Sequence, residues 1–445
     1  MGSHLEVVAA SILQIRIYFL FVFLAFLYLI NKNRNNSFHI FILLIFFDGL
    51  VNFISKDIYN MYRIFLVFLT IYWLYRKNVL PIANRYFITT IIFLFFTLVF
   101  LISAFINKDY FSLTFSQYSK FFILFALFLI FIKNRYNTSF KEKLTYLIYS
   151  VLTIQIFVSV VKFFIIGARE SIVGTIGAQG GALATTLPIL GFIFLWVRNK
   201  GVFTSKDWWF IIGLAFIGFV SQKRAIWFIL PVVIGLFMFY IPKNRIPRKL
   251  ILIIMIVIPF MFYAGVRLNR TLNKEQKVWG SFDLEYVYNY ANIYMFGKES
   301  MRGGDIAYGR GSATILLFNK LISGEDKAES WFGYGLRYMY TTTYDQFNRF
   351  GFGLAGKGSA TGAFQGLITG GYIGIFVFIL FAISIISKTK NRRLRYALFL
   401  IFFWEYLFYT GMIFRSNALG VLFLYAIIFS ERVIRVRIPR LSHLH

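Results

Sequence analysis

Residues 208–241 read WWFIIGLAFIGFVSQKRAIWFILPVVIGLFMFYI, two apolar runs joined by Ser-Gln-Lys-Arg at 221–224. A charged side chain at the centre of a bilayer costs about 2.5–3.5 kcal/mol on insertion scales, so ions inside apolar sequence tend to be paired, water-facing or functional. Lys223 and Arg224 therefore mark the place where one membrane span ends and the next begins.

Composition extends that reading to the whole chain. Of 445 residues, 59% are hydrophobic and 15% charged, and Phe alone occurs 57 times, more than a soluble core of this length needs. The chain reads as a polytopic, all-α membrane protein. Its formal net charge of +29 sits in short clusters between apolar runs, which is the pattern of topology signals at an anionic leaflet rather than of nucleic-acid binding. With no cysteine, disulfides, thiolate metal sites and Cys nucleophiles are excluded. The four histidines are His4, His39, His443 and His445, too scattered and too terminal for a histidine metal centre, and no cofactor is expected. The opening MGSHL reads as an appended segment; no cleavable signal peptide is evident, so the first apolar run is read as a span.

Runs able to cross about 30 Å of hydrocarbon fall near 10–30, 38–54, 61–75, 86–105, 118–132, 144–166, 181–197, 208–221, 225–241, 250–266, 363–386, 396–412 and 414–430, giving 12 to 14 transmembrane helices. The basic loops at 32–34, 76–85, 133–143, 198–206, 243–249 and 388–395, with the basic tail, share one side when the spans alternate. The positive-inside rule makes that side cytoplasmic. Three regions result: an N-terminal bundle over 1–266, a large outward loop over 267–362, and C-terminal spans with the basic tail over 363–445. The loop carries nine of the chain's eighteen carboxylates, and its aromatic content argues for short helices capping the bundle. No internal repeat is apparent.

Outward arginines form the candidate site. Arg224, beside Ser221 and Lys223, shares the outer boundary with Arg169 in GARESIVGTIGAQGG and with Arg310 in GDIAYGRGSA. Arginine binds phosphate oxygens bidentately and stays protonated in partly apolar surroundings. Glycines at 167, 174, 177, 180 and 181, and at 309 and 311, let backbone N–H groups approach an anion closely. A lipid pyrophosphate is the anion that lies at this depth.

These residues carry a resemblance. Arg169 with Gly180 after ten intervening residues, SQKRA at 221–225, GRGSA at 309–313 followed by WFGYGL at 331–336, and FQGLITGGYIG at 364–374 together resemble the O-antigen polymerase and O-antigen ligase superfamily, the Wzy-type polysaccharide polymerases among them. Lys223 and Ala225 depart from its Ser-x-Ser-Arg-Gly element. The His-Asn pair typical of the ligases falls on Ala360 and Thr361, so the ligase histidine is absent. The resemblance implies a metal-independent, inverting glycosyltransferase acting on undecaprenyl-pyrophosphate-linked oligosaccharide at the periplasmic face. It implies catalytic roles for Arg169, Arg224 and Arg310, and substrate contacts from Ser221, Lys223, Gly180, Gly309, Tyr334, Arg337 and Gln365. A chain-length regulator and a flippase would be its partners; nucleic acid would not.

Charge development on a leaving pyrophosphate calls for preorganised cations, and the acceptor hydroxyl needs a base. Asp305, five residues before Arg310, is the first candidate, ahead of Glu329 and Asp345. Plainer readings stand beside these. Lys223 and Arg224 can snorkel to the interface, Arg169 can pair with Glu170, and Arg310 is one of twelve basic residues in its loop. Asp48, Glu405 and Arg415, within or beside apolar runs, read as interhelical pairing. The alternatives in function are an O-antigen ligase, a lipid-linked oligosaccharide flippase, which usually shows internal repeats, and a non-catalytic export subunit.

Overall fold

The computed structural model describes residues 37–54, 56–167, 172–177, 182–201, 203–221, 223–239, 256, 259–260, 262–277, 279–300, 306–323, 327–336 and 361–430. The expected span at 10–30 and most of 250–266 lie outside them, as do Arg169, Gly180, Asp305, Arg337 and Asp345.

Among the described residues the architecture is helical. Helices α1 (Ser37–Phe46), α2 (Asp48–Ile54), α3 (Lys56–Arg76), α4 (Leu80–Arg85), α5 (Phe87–Ile106), α6 (Phe111–Lys133), α7 (Thr138–Ile166), α8 (Leu183–Arg198), α9 (Ser205–Val220) and α10 (Arg224–Phe239) form the N-terminal bundle. The large loop holds α11 (Leu284–Phe296), α12 (Arg310–Ser323) and α13 (Lys327–Phe332); α14 (Gly362–Ile386), α15 (Arg392–Phe408) and α16 (Asn417–Phe429) complete the bundle. Five helices are long and apolar enough to cross a membrane: α5, α6, α7, α14 and the Ile58–Arg76 portion of α3.

Helix α5 shows what solvent the bundle meets. Ile88, Ile91, Leu94, Phe95, Leu98, Leu101 and Phe105 are exposed, while Thr89, Phe93, Phe96, Phe100 and Ser103 are buried. The outward face repeats every three to four residues and is wholly apolar, so its complement is lipid; a water-facing helix would be polar there.

Two central helices are apolar on all sides and buried throughout, α8 from Leu183 to Val197 and α16 along its whole length. Thirteen residues of α16 rise only about 20 Å, less than the hydrocarbon thickness. Ahead of α16 the chain at 409–416 lies at membrane depth without α-helical bonding, which is tolerated only when protein encloses it. The expected single span at 38–54 is similarly broken at Phe47, between α1 and α2.

The segment 172–177 fills that interior. Gln155, about 16 Å below the end of α7 by helical rise, accepts from Thr175 N at 2.6 Å and donates to Thr175 Oγ1 at 3.0 Å. Thr175 Oγ1 donates to Phe46 O at 3.1 Å, and Leu50 N donates to Thr175 O at 3.0 Å, so the inserted segment bonds the α1–α2 break. A Cβ on Gly49 would fall 2.2 Å from Gly177 N, so only glycine admits this approach.

A kink does comparable work in α14. Gly371 adopts φ 59°, and a Cβ there would lie 2.5 Å from the Trp331 carbonyl. The opened turn receives the loop: Tyr334 N donates to Ile368 O at 2.7 Å, and Ser103 Oγ donates to Thr369 O at 2.7 Å. Helix α12 then packs Ala313, Leu317 and Leu321 onto Phe364, Leu367 and Ile368. The described part of the 267–362 segment thus packs onto the bundle through α12 and α13. It also contains an antiparallel ribbon, β1 (Lys298–Ser300) with β2 (Ile306–Tyr308), which the all-α reading did not include. Farther out, the hydrogen bond from Lys274 holds the Asp283 carboxyl below its ordinary range at the N-cap of α11.

The basic loops gather at the opposite end. Lys133 Nζ donates to Asn78 O at 2.8 Å, Arg135 to Lys388 O at 3.3 Å, and Arg198 pairs with Asp207 at 3.6 Å.

Two outcomes follow. Gly49→Ala lowers the thermal midpoint of the detergent-solubilised protein, by about 1–3 kcal/mol of overpacking, while Gly370→Ala, whose Cβ meets nothing within 4 Å, leaves it unchanged. Since the chain has no cysteine, single Asn319→Cys and Lys206→Cys variants report sidedness: an impermeant maleimide on spheroplasts labels the first, and the second only after permeabilisation. Labelling of both from one side would reject the arrangement.

Candidate functional site

The site is built where short helices stop. Glu405, near the end of α15 and 1% exposed, accepts from Met412 N and, at 3.5 Å, from Ile413 N. Gly411 takes a left-handed φ of 66°, and its N–H donates to Glu405 O at 3.1 Å. One carboxylate thus folds the chain between α15 and α16 into a tight turn, residues 409–416. Gly362 N donates to Tyr409 O at 2.8 Å, which ties this turn to the start of α14.

The turn presents two residues in two directions. Tyr409 meets Arg310 and Thr185: the guanidinium lies 5.4 Å from the Tyr409 ring centre and 4.9 Å from that of Tyr294 on α11, and the Tyr409 hydroxyl is 3.2 Å from Thr185 Oγ1. Trp404 stacks on Tyr409 at 5.5 Å. Arg310 opens α12, whose first turn is fixed by Thr314 Oγ1, bonded to Arg310 O at 2.8 Å and lying 2.9 Å from Thr361 Oγ1. Two aromatic faces hold a planar cation by cation–π attraction, a geometry that suits arginine better than lysine. Thr361 caps α14 by accepting from Phe364 N at 3.0 Å.

Arg415 points the other way. With Gln117, Gln365, Tyr406 and Gly411 it lines the polar end of a cavity of about 70 Å³, whose remaining wall includes Phe96, Phe100, Phe121 and Phe378. Beneath lies a layer of ions. Arg63 Nη2 binds Asp48 Oδ2 at 3.1 Å, and Arg63 Nε binds the Tyr59 hydroxyl at 2.9 Å. With its oxygen turned to Arg63, the Asn417 amide accepts from Nη1 at 3.1 Å and donates to Lys120 O at 3.0 Å. Lys120 Nζ donates to Gln117 Oε1 at 3.1 Å. Arg63 and Lys120 each stand thirteen residues from the basic ends of their helices, about 20 Å, which is the depth at which α16 begins.

The helix starting at Arg224 approaches the same region. Ile226 packs onto Gly218, where a Cβ would fall 2.0 Å from Ile226 Cδ1 and 3.0 Å from Ala184 O, one residue before Thr185. The first turn of α10 and Tyr409, whose ring meets Arg310, therefore approach one turn of α8. Ser221 is fully buried and donates to Ile172 O and Ile217 O, both at 2.7 Å, so its hydroxyl anchors the inserted segment. Lys223 is half-buried beside it. Gly309 N donates to Gly297 O at 2.8 Å, and a Cβ there would lie 2.6 Å from Met295 O, so this glycine serves the packing of α12 on α11. Tyr334 packs with the α12–α14 apolar cluster. Glu329 lies in the first turn of α13, half-buried.

Sequence reading gave Asp48, Glu405 and Arg415 to helix–helix pairing; Asp48 makes such a contact with Arg63, whereas Glu405 binds backbone N–H groups of the turn that follows its own helix. It did not single out Arg63, Lys120, Asn417 or Tyr409. The first two carried the same signal as Lys223 and Arg224, a charge within apolar sequence. Among the described residues no cluster of His, Asp and Glu could hold a metal ion. No protein-family model, curated protein or solved structure matches the chain.

Breaking the buried pair tests the layer. Asp48→Asn leaves Arg63 without its counter-charge and costs about 3–5 kcal/mol, whereas Asp48→Leu with Arg63→Met recovers much of that loss. Denaturant unfolding in micelles measures both; equal loss in the two variants would show that the pair is not the unit of stability.

Proposed function

We propose that the chain is a surface-polysaccharide polymerase of the O-antigen type, an inverting glycosyltransferase moving a growing glycan from undecaprenyl pyrophosphate onto a lipid-linked repeat unit. The observation that carries this reading is the placement of Arg310. It stands between Tyr294 and Tyr409, where the outer ends of α8, α14 and the 409–416 turn converge, at the end of the bundle opposite the basic loops. A pyrophosphate carried by a lipid arrives at that level with its polyprenyl chain still in the hydrocarbon.

In the proposed step the bond between the donor's anomeric carbon and the phosphate oxygen breaks, and the acceptor hydroxyl oxygen attacks that carbon from the opposite face. The electron pair stays with the pyrophosphate, whose growing charge Arg310, Arg224 and Arg169 neutralise. The hydroxyl proton passes to a carboxylate. Asp305 and Asp345 retain that candidacy from sequence, while Glu405 is occupied in folding the 409–416 turn.

The test is the lipopolysaccharide ladder of a host lacking this gene, complemented at matched membrane levels with wild type, Arg310→Ala, Arg310→Lys, Arg224→Ala or Arg169→Ala. Wild type restores the ladder. Arg310→Ala reduces chain extension by about 10²-fold, as expected for loss of one preorganised charge, leaving core with a single repeat; Arg310→Lys recovers part. Bare core with accumulated lipid-linked polymer would mean ligase instead, and an unchanged ladder in every strain would remove the glycosyltransferase reading.

A further inference from the structure

A concavity much larger than the one beside Arg415 lies at the other end of the molecule, among the basic loops. It encloses about 620 Å³ between the start of α7, the end of α8, the α14–α15 turn and the end of α16. Five cations reach it, Arg135, Lys141, Arg198, Lys200 and Lys390, against one carboxylate, Glu142. A solvated loop surface would mix both signs. Here the excess remains even after Arg198 is set against Asp207 at 3.6 Å.

The cations are held in place. Arg198 lies 4.4 Å from the Tyr149 ring centre and Lys390 4.6 Å from that of Tyr136. Asp207, which steadies Arg198, is itself fixed by the capping box with Thr204. The phenol of Tyr136, exposed on its loop, is held below its ordinary range, first by the hydrogen bond and charge of Lys390 and further by Arg135 and Arg85, so the field there is positive. The floor is different: Tyr425, Ile428 and Phe429, from the last turns of α16, make it largely apolar. A basic rim over an apolar floor, at the level where the spans leave the hydrocarbon, matches a molecule with phosphate at one end and hydrocarbon at the other.

We infer that this concavity binds the phosphate headgroup of an anionic phospholipid of the leaflet the basic loops face. General attraction of basic loops to an anionic surface is worth about 1 kcal/mol per residue and is spread over all of them. The inference concerns the pocket residues specifically, which sets the control.

The full-length protein in neutral-detergent micelles is titrated with cardiolipin, with zwitterionic phosphatidylcholine, and with inorganic phosphate at equal phosphorus, following its thermal midpoint. Two charge-matched variants are compared, Lys200→Gln/Lys390→Gln within the concavity and Lys143→Gln/Lys206→Gln outside it. Cardiolipin raises the midpoint of wild type and of the outside variant by several degrees, and the pocket variant loses more than half of that rise; neither comparison ligand reproduces it. An equal rise in both variants, or none in wild type, overturns the site. An equal response to inorganic phosphate overturns the lipid assignment and leaves a phosphate site. Should the pocket pair not fold, Lys390→Gln alone carries the test, with at least a threefold weaker half-saturation than wild type expected.

Discussion

Backbone that is neither helix nor strand must have its N–H and C=O groups satisfied by protein when it lies in hydrocarbon, and this molecule is organised around that requirement. Its two most buried helices, α8 and α16, are too short to cross. The interruptions packed around them each have a dedicated side chain: Gln155 for 172–177, Glu405 for 409–416, Thr361 for the start of α14, and Ser103 for the opened turn at Gly371. Removing one of these partners strands a buried donor or acceptor, at about 1–3 kcal/mol. The longer, lipid-facing helices enclose these pieces, which is why α5 can spend its whole outer face on apolar residues.

The ion layer follows from the same constraint. Asp48 sits where α1 gives way to α2, and Arg63 reaches it from α3 while also meeting Tyr59 and Asn417. Asn417 is the first residue of α16, so the pair and the amide fix the depth at which that helix begins. Arg415, two residues earlier, feels both Lys120 below and Glu405 behind. A buried pair is weak evidence for stability but a strong means of fixing register, and here register decides which way Tyr409 and Arg415 face. The candidate site thus depends on ions that do not line it.

Much of this was legible in sequence, and the limits have physical causes. Apolar runs long enough to cross were read correctly for α5, α6, α7 and α14, because length and hydropathy are local properties. The break between α9 and α10 was read from two adjacent charges. The segment 172–177 was not read as inserted, since IVGTIG is too short to register as a span and its partner, Gln155, is seventeen residues back in an apolar helix. Arg310 was found as an arginine between glycines; Tyr294 and Tyr409, which hold it, come from elements sixteen residues before and ninety-nine after, and only the tertiary fold joins them. Of the glycines read as anion cradles, Gly174 and Gly309 stand where a Cβ would fall 2.1 Å from Gln155 Oε1 and 2.6 Å from Met295 O; Gly49 and Gly371, which were not so read, likewise admit a backbone that a Cβ would displace.

The two ends of the bundle use arginine differently, and the difference bears on function. At the basic end, cations are many, half-exposed and close to tyrosines and backbone carbonyls, the arrangement of a surface that meets charge held at a membrane. At the other end Arg310 is flanked by the rings of Tyr294 and Tyr409 and opens a helix whose first turn is fixed by Thr314 and Thr361. Partial enclosure lowers the local dielectric and so strengthens the attraction for an anion that enters. An arginine set on that side, stacked, oriented and joined to the turn that also carries Arg415, is better suited to meet a charged group arriving from the membrane than to anchor the helix it begins.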